Sequence, residues 1–112
     1  MKEVKAYIRC KKAEEVLGEL EKIGVKEATL LDVMGIGTIA DPTQAKYSIK
    51  CIRKFSEFAK LEVVCSDEKV HKIVEAIRQA AYTGLPGDGI IFVTPVDMAI
   101  KIRTGAIGED GL

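Results

Sequence analysis

The chain has 112 residues, with 17 Lys and Arg balanced by 17 Asp and Glu, 47% hydrophobic residues and 30% charged residues. That length suits one domain with a modest core, and the composition is ordinary for a soluble globular protein. The charge balance excludes a bulk electrostatic pull toward nucleic acid or an anionic membrane, and no apolar run approaches the roughly 20 residues of a membrane span.

The opening Met1-Lys2-Glu3-Val4-Lys5 is charged from the start and lacks the apolar region of a signal peptide. The three cysteines, Cys10, Cys51 and Cys65, are odd in number and have no CxxC spacing. Both features point to reduced thiols in a cytoplasm, and away from a disulfide framework or a zinc site.

Lys2 to Cys10 alternates, with Val4, Ala6, Ile8 and Cys10 on one face and Lys5, Tyr7 and Arg9 on the other. That pattern predicts a half-buried strand. Lys11 to Ile23 places Ala13, Val16, Leu17, Leu20 and Ile23 at helical spacing, and Gly24 is a natural stop. Ala28 to Met34 reads as a second strand, which completes a β-α-β unit. The pattern then repeats. Ala59 to Cys65 is a predicted strand, and Ser66 and Asp67 are good N-caps. Val70, Ile73, Val74, Ile77, Ala80 and Ala81 form a helical stripe, and Ile90 to Thr94 is the fourth strand. Two β-α-β halves predict an α+β, ferredoxin-like fold: one domain over residues 1–112, with a four-stranded antiparallel sheet and both helices on one face. The other face, bearing Tyr7, Val64 and Leu31, needs a cover that a homo-oligomer supplies. Between the halves, Gly35 to Phe58 is longer than a compact domain ordinarily tolerates without a function for it.

Two stretches carry candidate chemistry. Thr83-Gly84-Leu85-Pro86-Gly87-Asp88-Gly89 packs three glycines and a proline into a loop before the apolar Ile90-Ile91-Phe92-Val93. Such a loop can present several backbone N–H groups to an anion. Lys101-Ile102-Arg103-Thr104-Gly105 follows, and in a strand Lys101 and Arg103 share a face. Together they read either as a phosphate site or as a tight turn beside a solvated edge strand. Gly35-Ile36-Gly37-Thr38-Ile39-Ala40 matches the dinucleotide pattern GxGxxA, but that fingerprint requires a helix to open there and Asp41-Pro42 prevents one.

TG-x-x-GDG, then IFV-x-PV, then I-x-I-RTG resembles the signature of the PII signal-transduction proteins, and the opening Met1 to Arg9 and the Val33 to Gly37 turn are similar too. The resemblance runs the length of the chain. It implies a homotrimer that packs its sheets together and binds ATP, ADP or AMP in the clefts between subunits. It identifies residues of about 37–58 with the T-loop, which reaches a target protein (a transporter, enzyme or regulator). On this resemblance Thr29 bonds the adenine ring and Val64 offers backbone groups to it. Gly35 and Gly37 let the backbone pass close to the nucleotide, and Thr83, Gly87, Asp88 and Gly89 build the phosphate loop. Arg103 matches a phosphate-binding arginine, and Lys101 keeps the charge of one without its fork.

The chain also departs from the family. Ile90 stands where a phosphate-binding lysine is expected, and Thr38 where an arginine reaches a neighbouring subunit's nucleotide. Ile39 replaces a glutamine that holds Mg²⁺ beside ATP and 2-oxoglutarate, and isoleucine cannot ligate a hard cation; the part played by Mg²⁺ is left open. Phe58 replaces the lysine that pairs with 2-oxoglutarate, and Cys51 falls where the uridylylated tyrosine lies. His71 has no second histidine beside it, and Asp88 no partner acid, nucleophile or metal cluster. The expectation is a cytoplasmic regulator rather than an enzyme: a sensor of adenine nucleotides with a weakened or absent 2-oxoglutarate response, with no catalytic or metal residue, no nucleic-acid partner and no membrane insertion. The alternatives weighed are a small phosphohydrolase on a ferredoxin-like fold and an RNA-binding domain. The latter needs exposed aromatics on the central strands, and only Tyr7 and Phe92 offer themselves.

Overall fold

Alternation and helical spacing translate directly into elements. The computed structural model describes residues 1–36, 46–47 and 54–112. In chain order these form β1 (Lys2–Arg9), α1 (Ala13–Lys22), β2 (Thr29–Ile36), β3 (Lys46–Tyr47), β4 (Lys54–Cys65), α2 (Val70–Ala81) and β5 (Ile90–Pro95), with single 3-10 turns before each helix and near the end. The strand order is β2-β4-β1-β5, with β3 attached to β4. Every neighbouring pair is antiparallel. This is the expected ferredoxin-like arrangement.

The register assigns each side chain to a face. Val4, Ala6 and Ile8 of β1 lie opposite Val63, Leu61 and Ala59 of β4. These six residues, with Cys65, meet Val16 and Leu20 of α1 and Ile73, Ile77, Ala80 and Ala81 of α2 in one core. Each Ile, Leu or Val buried there stabilises the fold by about 1.5–3 kcal/mol. α1 ends as its glycine dictates: Gly24 adopts φ 90, its N–H donates to the Glu21 carbonyl and Val25 N–H donates to the Leu20 carbonyl. This pair of bonds is a Schellman cap.

The helix-free face carries the alternate residues. Tyr7 and Phe92 meet edge to face with centroids 6.3 Å apart, and the Lys60 ammonium lies 6.0 Å from the Tyr7 ring centre. Val64, Leu31, Ile90 and Phe92 are exposed there, as the sequence pattern anticipates for Val64 and Leu31.

Three local expectations are corrected. β4 begins at Lys54 rather than at Ala59, so Phe58 belongs to a strand, where it is 2% exposed and pairs in register with Arg9 and Val33. Neither Ser66 nor Asp67 caps α2: the Ser66 side chain makes no capping hydrogen bond to the 3-10 turn Asp67–Lys69 that precedes the helix. Asp67 instead lies 3.0 Å from the Met1 ammonium, and hydrogen bonding to that group holds its carboxyl below the usual range. Finally, Lys101 to Arg103 is not a strand. Gly105, at φ 72, closes a turn in which its N–H donates to the Lys101 carbonyl at 2.8 Å, flanked by Lys101 N–H to Ala106 and Gly108 N–H to Ala99. Lys101 sits at the base of this turn and Arg103 in its exposed part, so the shared strand face does not exist.

Candidate functional site

The glycine loop is built around a carboxylate. Asp88 accepts from Thr83 N–H (2.9 Å), the Thr83 hydroxyl and Gly84 N–H (3.0 Å). Leu85 N–H donates to Thr83 Oγ1 at 3.1 Å. From outside the loop, Arg9 Nε donates to Asp88 Oδ1 at 3.1 Å and Arg9 Nη2 to the Pro86 carbonyl at 2.9 Å. Partial burial opposes ionisation of Asp88, but the Thr83, Arg9 and Gly84 donors outweigh it and draw its carboxyl down to about 2. Gly84, Gly87 and Gly89 all have positive φ, at 84, 97 and 101. At Gly89 the glycine is obligatory, because a Cβ would stand 1.7 Å from the Tyr7 carbonyl oxygen. The sequence reading placed Asp88 among the ligand-binding residues; its carboxylate is engaged inside the loop, holding Thr83 and Gly84 in place.

Thr29 and Val64 come together at another corner of the sheet. Both line a cavity of about 850 Å³ bounded by the segment from Ile23 to Thr29, by β4 from Glu62 to Cys65, by Lys69 and Lys72, and by Glu109, Gly111 and Leu112. Thr29 pairs in register with Glu62, and Glu62 with Lys5. The lining includes Lys26, Lys69 and Lys72 with Glu3, Glu27, Glu62 and Glu109, so the cavity offers both signs of charge together with apolar side chains such as Ile23, Val25 and Val63.

Thr83, Gly87, Asp88, Gly89, Lys101 and Arg103 do not line that cavity. The strand order places Thr29 on one edge strand and the glycine loop beside the other. With strands about 4.8 Å apart and residues rising about 3.3 Å, the two clusters are separated by about 14 Å across the sheet and about 10 Å along it. Gly35 is buried in β2 opposite Ser56, at the end of the sheet where Arg9 lies. Gly37, Thr38, Ile39 and Cys51 lie outside the described residues, as does most of the expected T-loop. Among the described residues, no three His, Cys, Asp or Glu side chains form a metal-binding group, and no helix is long and apolar enough to cross a membrane. His71 is exposed on α2.

The family model described as Nitrogen regulatory protein P-II matches residues 1–106. Nitrogen regulatory protein P-II of Azospirillum brasilense is 39% identical over 112 residues, and that of Rhizobium meliloti (strain 1021) 38%, with 100% of this chain and of each relative covered. The crystal structure of Arabidopsis thaliana PII bound to citrate matches with a TM-score of 0.83 and 33% identity, covering 99% of this chain and 91% of that one. The chain belongs to the P-II nitrogen regulatory protein family.

As a P-II protein it has a signalling role, and its two helices and antiparallel sheet match the PII fold. Sequence reasoning missed Arg9, which it placed on an outward strand face with no function, and the cavity lysines Lys26, Lys69 and Lys72. Neither had a local signal: Arg9 reaches a loop far along the chain, and the lysines resemble any solvated charge until the fold assembles them.

Proposed function

We propose that this P-II protein is a cytoplasmic homotrimer that binds ATP, ADP or AMP between subunits and passes that state to a target protein through the T-loop. One observation carries the reading: the adenine-type residues Thr29 and Val64 share a cavity from which the glycine loop is absent. A site needing both is completed by bringing the cavity corner of one copy to the loop corner of the next. The exposed apolar face around Phe92, Leu31 and Val64 supplies the reason for copies to pack. Switching then rests on differential binding to two T-loop arrangements, and the protein acts as a regulator, not an enzyme. Phe58 and Ile39 replace the lysine and glutamine of the resemblance, and an apolar side chain makes desolvating a carboxylate costly. The 2-oxoglutarate response is therefore weak or lost.

Sedimentation equilibrium is expected to return three times the 12.2 kDa chain mass, and calorimetry to show saturable binding of ATP, ADP and AMP. A monomer at micromolar concentration, or no heat with any of the three, overturns the proposal.

A further inference from the structure

The Arg9 guanidinium holds the glycine loop on both sides of Gly87. One nitrogen bonds the carboxylate that follows Gly87 and another the carbonyl that precedes it, at 3.1 and 2.9 Å. The Arg9 side chain is 11% exposed and that of Asp88 25%, so the charge-assisted Arg9–Asp88 contact is partly shielded from water. Arg9 ends β1 and pairs in register with Phe58. It therefore fixes the loop relative to the strand that follows the T-loop. Gly89, at the end of the loop, lies against the Tyr7 carbonyl with no room for a side chain, so β1 meets the loop through two residues of one strand. The grip needs a planar fork: a lysine reaches one of the two acceptors, not both.

We infer that Arg9 is a positioning residue for the proposed nucleotide site, setting the peptide groups around Gly87 through its paired contacts with Pro86 and Asp88. This rests on the nucleotide-binding reading and assigns Arg9 no contact with the ligand. Backbone donors stabilise an anion best when they are held in place before it arrives, and Gly87, at φ 97, would otherwise have wide conformational freedom.

The test is ATP titration by calorimetry on the intact protein and on Arg9→Ala, Arg9→Lys, Asp88→Asn and the Arg9→Ala/Asp88→Asn double variant. Amide NMR of Gly87 and Gly89 and the Asp88 carboxyl titration accompany it. Arg9→Ala is expected to weaken ATP binding about tenfold or more, with Arg9→Lys between it and the original. The double variant should lose little beyond the singles, since both act through one loop. The Gly87 and Gly89 resonances should move, and the Asp88 midpoint should rise from about 2. Unchanged ATP affinity in Arg9→Ala, with wild-type binding intact, overturns the inference. So do unmoved Gly87 and Gly89 resonances. If the wild-type protein binds no ATP, the nucleotide reading fails, and the resonances and the Asp88 titration alone decide whether Arg9 sets the loop.

Discussion

The two candidate corners of the sheet are built on opposite principles. The glycine loop is closed on itself: one carboxylate takes Thr83, Gly84 and Arg9 donors, and Gly89 leaves no space against Tyr7. The cavity corner, by contrast, is open and lined by residues of mixed charge from several separate parts of the chain. The loop is held by its own hydrogen bonds, the property wanted of the proposed phosphate site; the cavity supplies volume and a few directional groups, the property wanted of the proposed base site. Damage to the first corner is expected to propagate into the fold, and damage to the second to stay local.

The sharpest break in that comparison is Gly89→Ala. The new methyl would meet the Tyr7 carbonyl at 1.7 Å at a φ of 101, so β5 must shift from β1. A loss of more than about 3 kcal/mol is expected in chemical denaturation. Gly105→Ala is the contrast: its φ is 72 but nothing lies within 4 Å, so a cost of about 1 kcal/mol is expected. Similar costs at the two glycines would remove the case for a clamped loop.

Next in size is the acid response. Asp88 has its folded carboxyl drawn from 3.8 to about 2, so its contribution is present above about pH 4 and disappears as pH falls through about 2. Discounted for partial exposure, that is about 1–2 kcal/mol. Denaturation between pH 5 and 2 should show this slope, and Asp88→Asn should flatten it. An identical slope in the variant would mean that the loop is not held by this carboxylate.

Thr29→Val tests the open corner. It keeps the shape and β propensity of an exposed strand residue, so stability should change by less than about 0.5 kcal/mol. Adenine-nucleotide binding should weaken by about 1 kcal/mol through one lost hydrogen bond. A large fall in melting temperature with unchanged affinity would reverse the assignment.

The smallest effect concerns thiols. Burial, with the Asp32 and Glu57 carboxylates, pushes up the Cys10 thiol, and burial does the same at Cys65. Both should alkylate more slowly at pH 7.5 than an unfolded control, because the thiolate is the nucleophile. Labelling at the control rate would contradict that.

What the sequence made legible was whatever local chemistry decides. The alternation of Val4, Ala6 and Ile8 and the spacing of Ile73 and Ile77 become the core, and Gly24 becomes the cap of α1. The misreadings came where distant contacts decide. Ile100-Lys101-Ile102-Arg103 alternates like a strand, yet Gly105 turns it back on itself. Phe58 and Ala59 are adjacent and both buried, which breaks the alternation that would have revealed β4 upstream. Asp88 looked free to face a ligand because its partner Arg9 lies at the other end of the chain.

The central claim is that one site is made from two different corners of neighbouring copies, and subunit mixing tests it most directly. One variant carries Arg9→Ala with Asp88→Asn, disabling the loop corner; the other carries Thr29→Trp, filling the cavity. Neither alone should bind ATP with the original affinity, each being weaker by about tenfold or more. In a cyclic trimer, co-refolding equal amounts should restore about a quarter of the sites, because each mixed trimer has one interface with both corners intact. Recovery near that fraction is the predicted result. Mixed trimers that form, by mass spectrometry, but regain no ATP binding would contradict the claim.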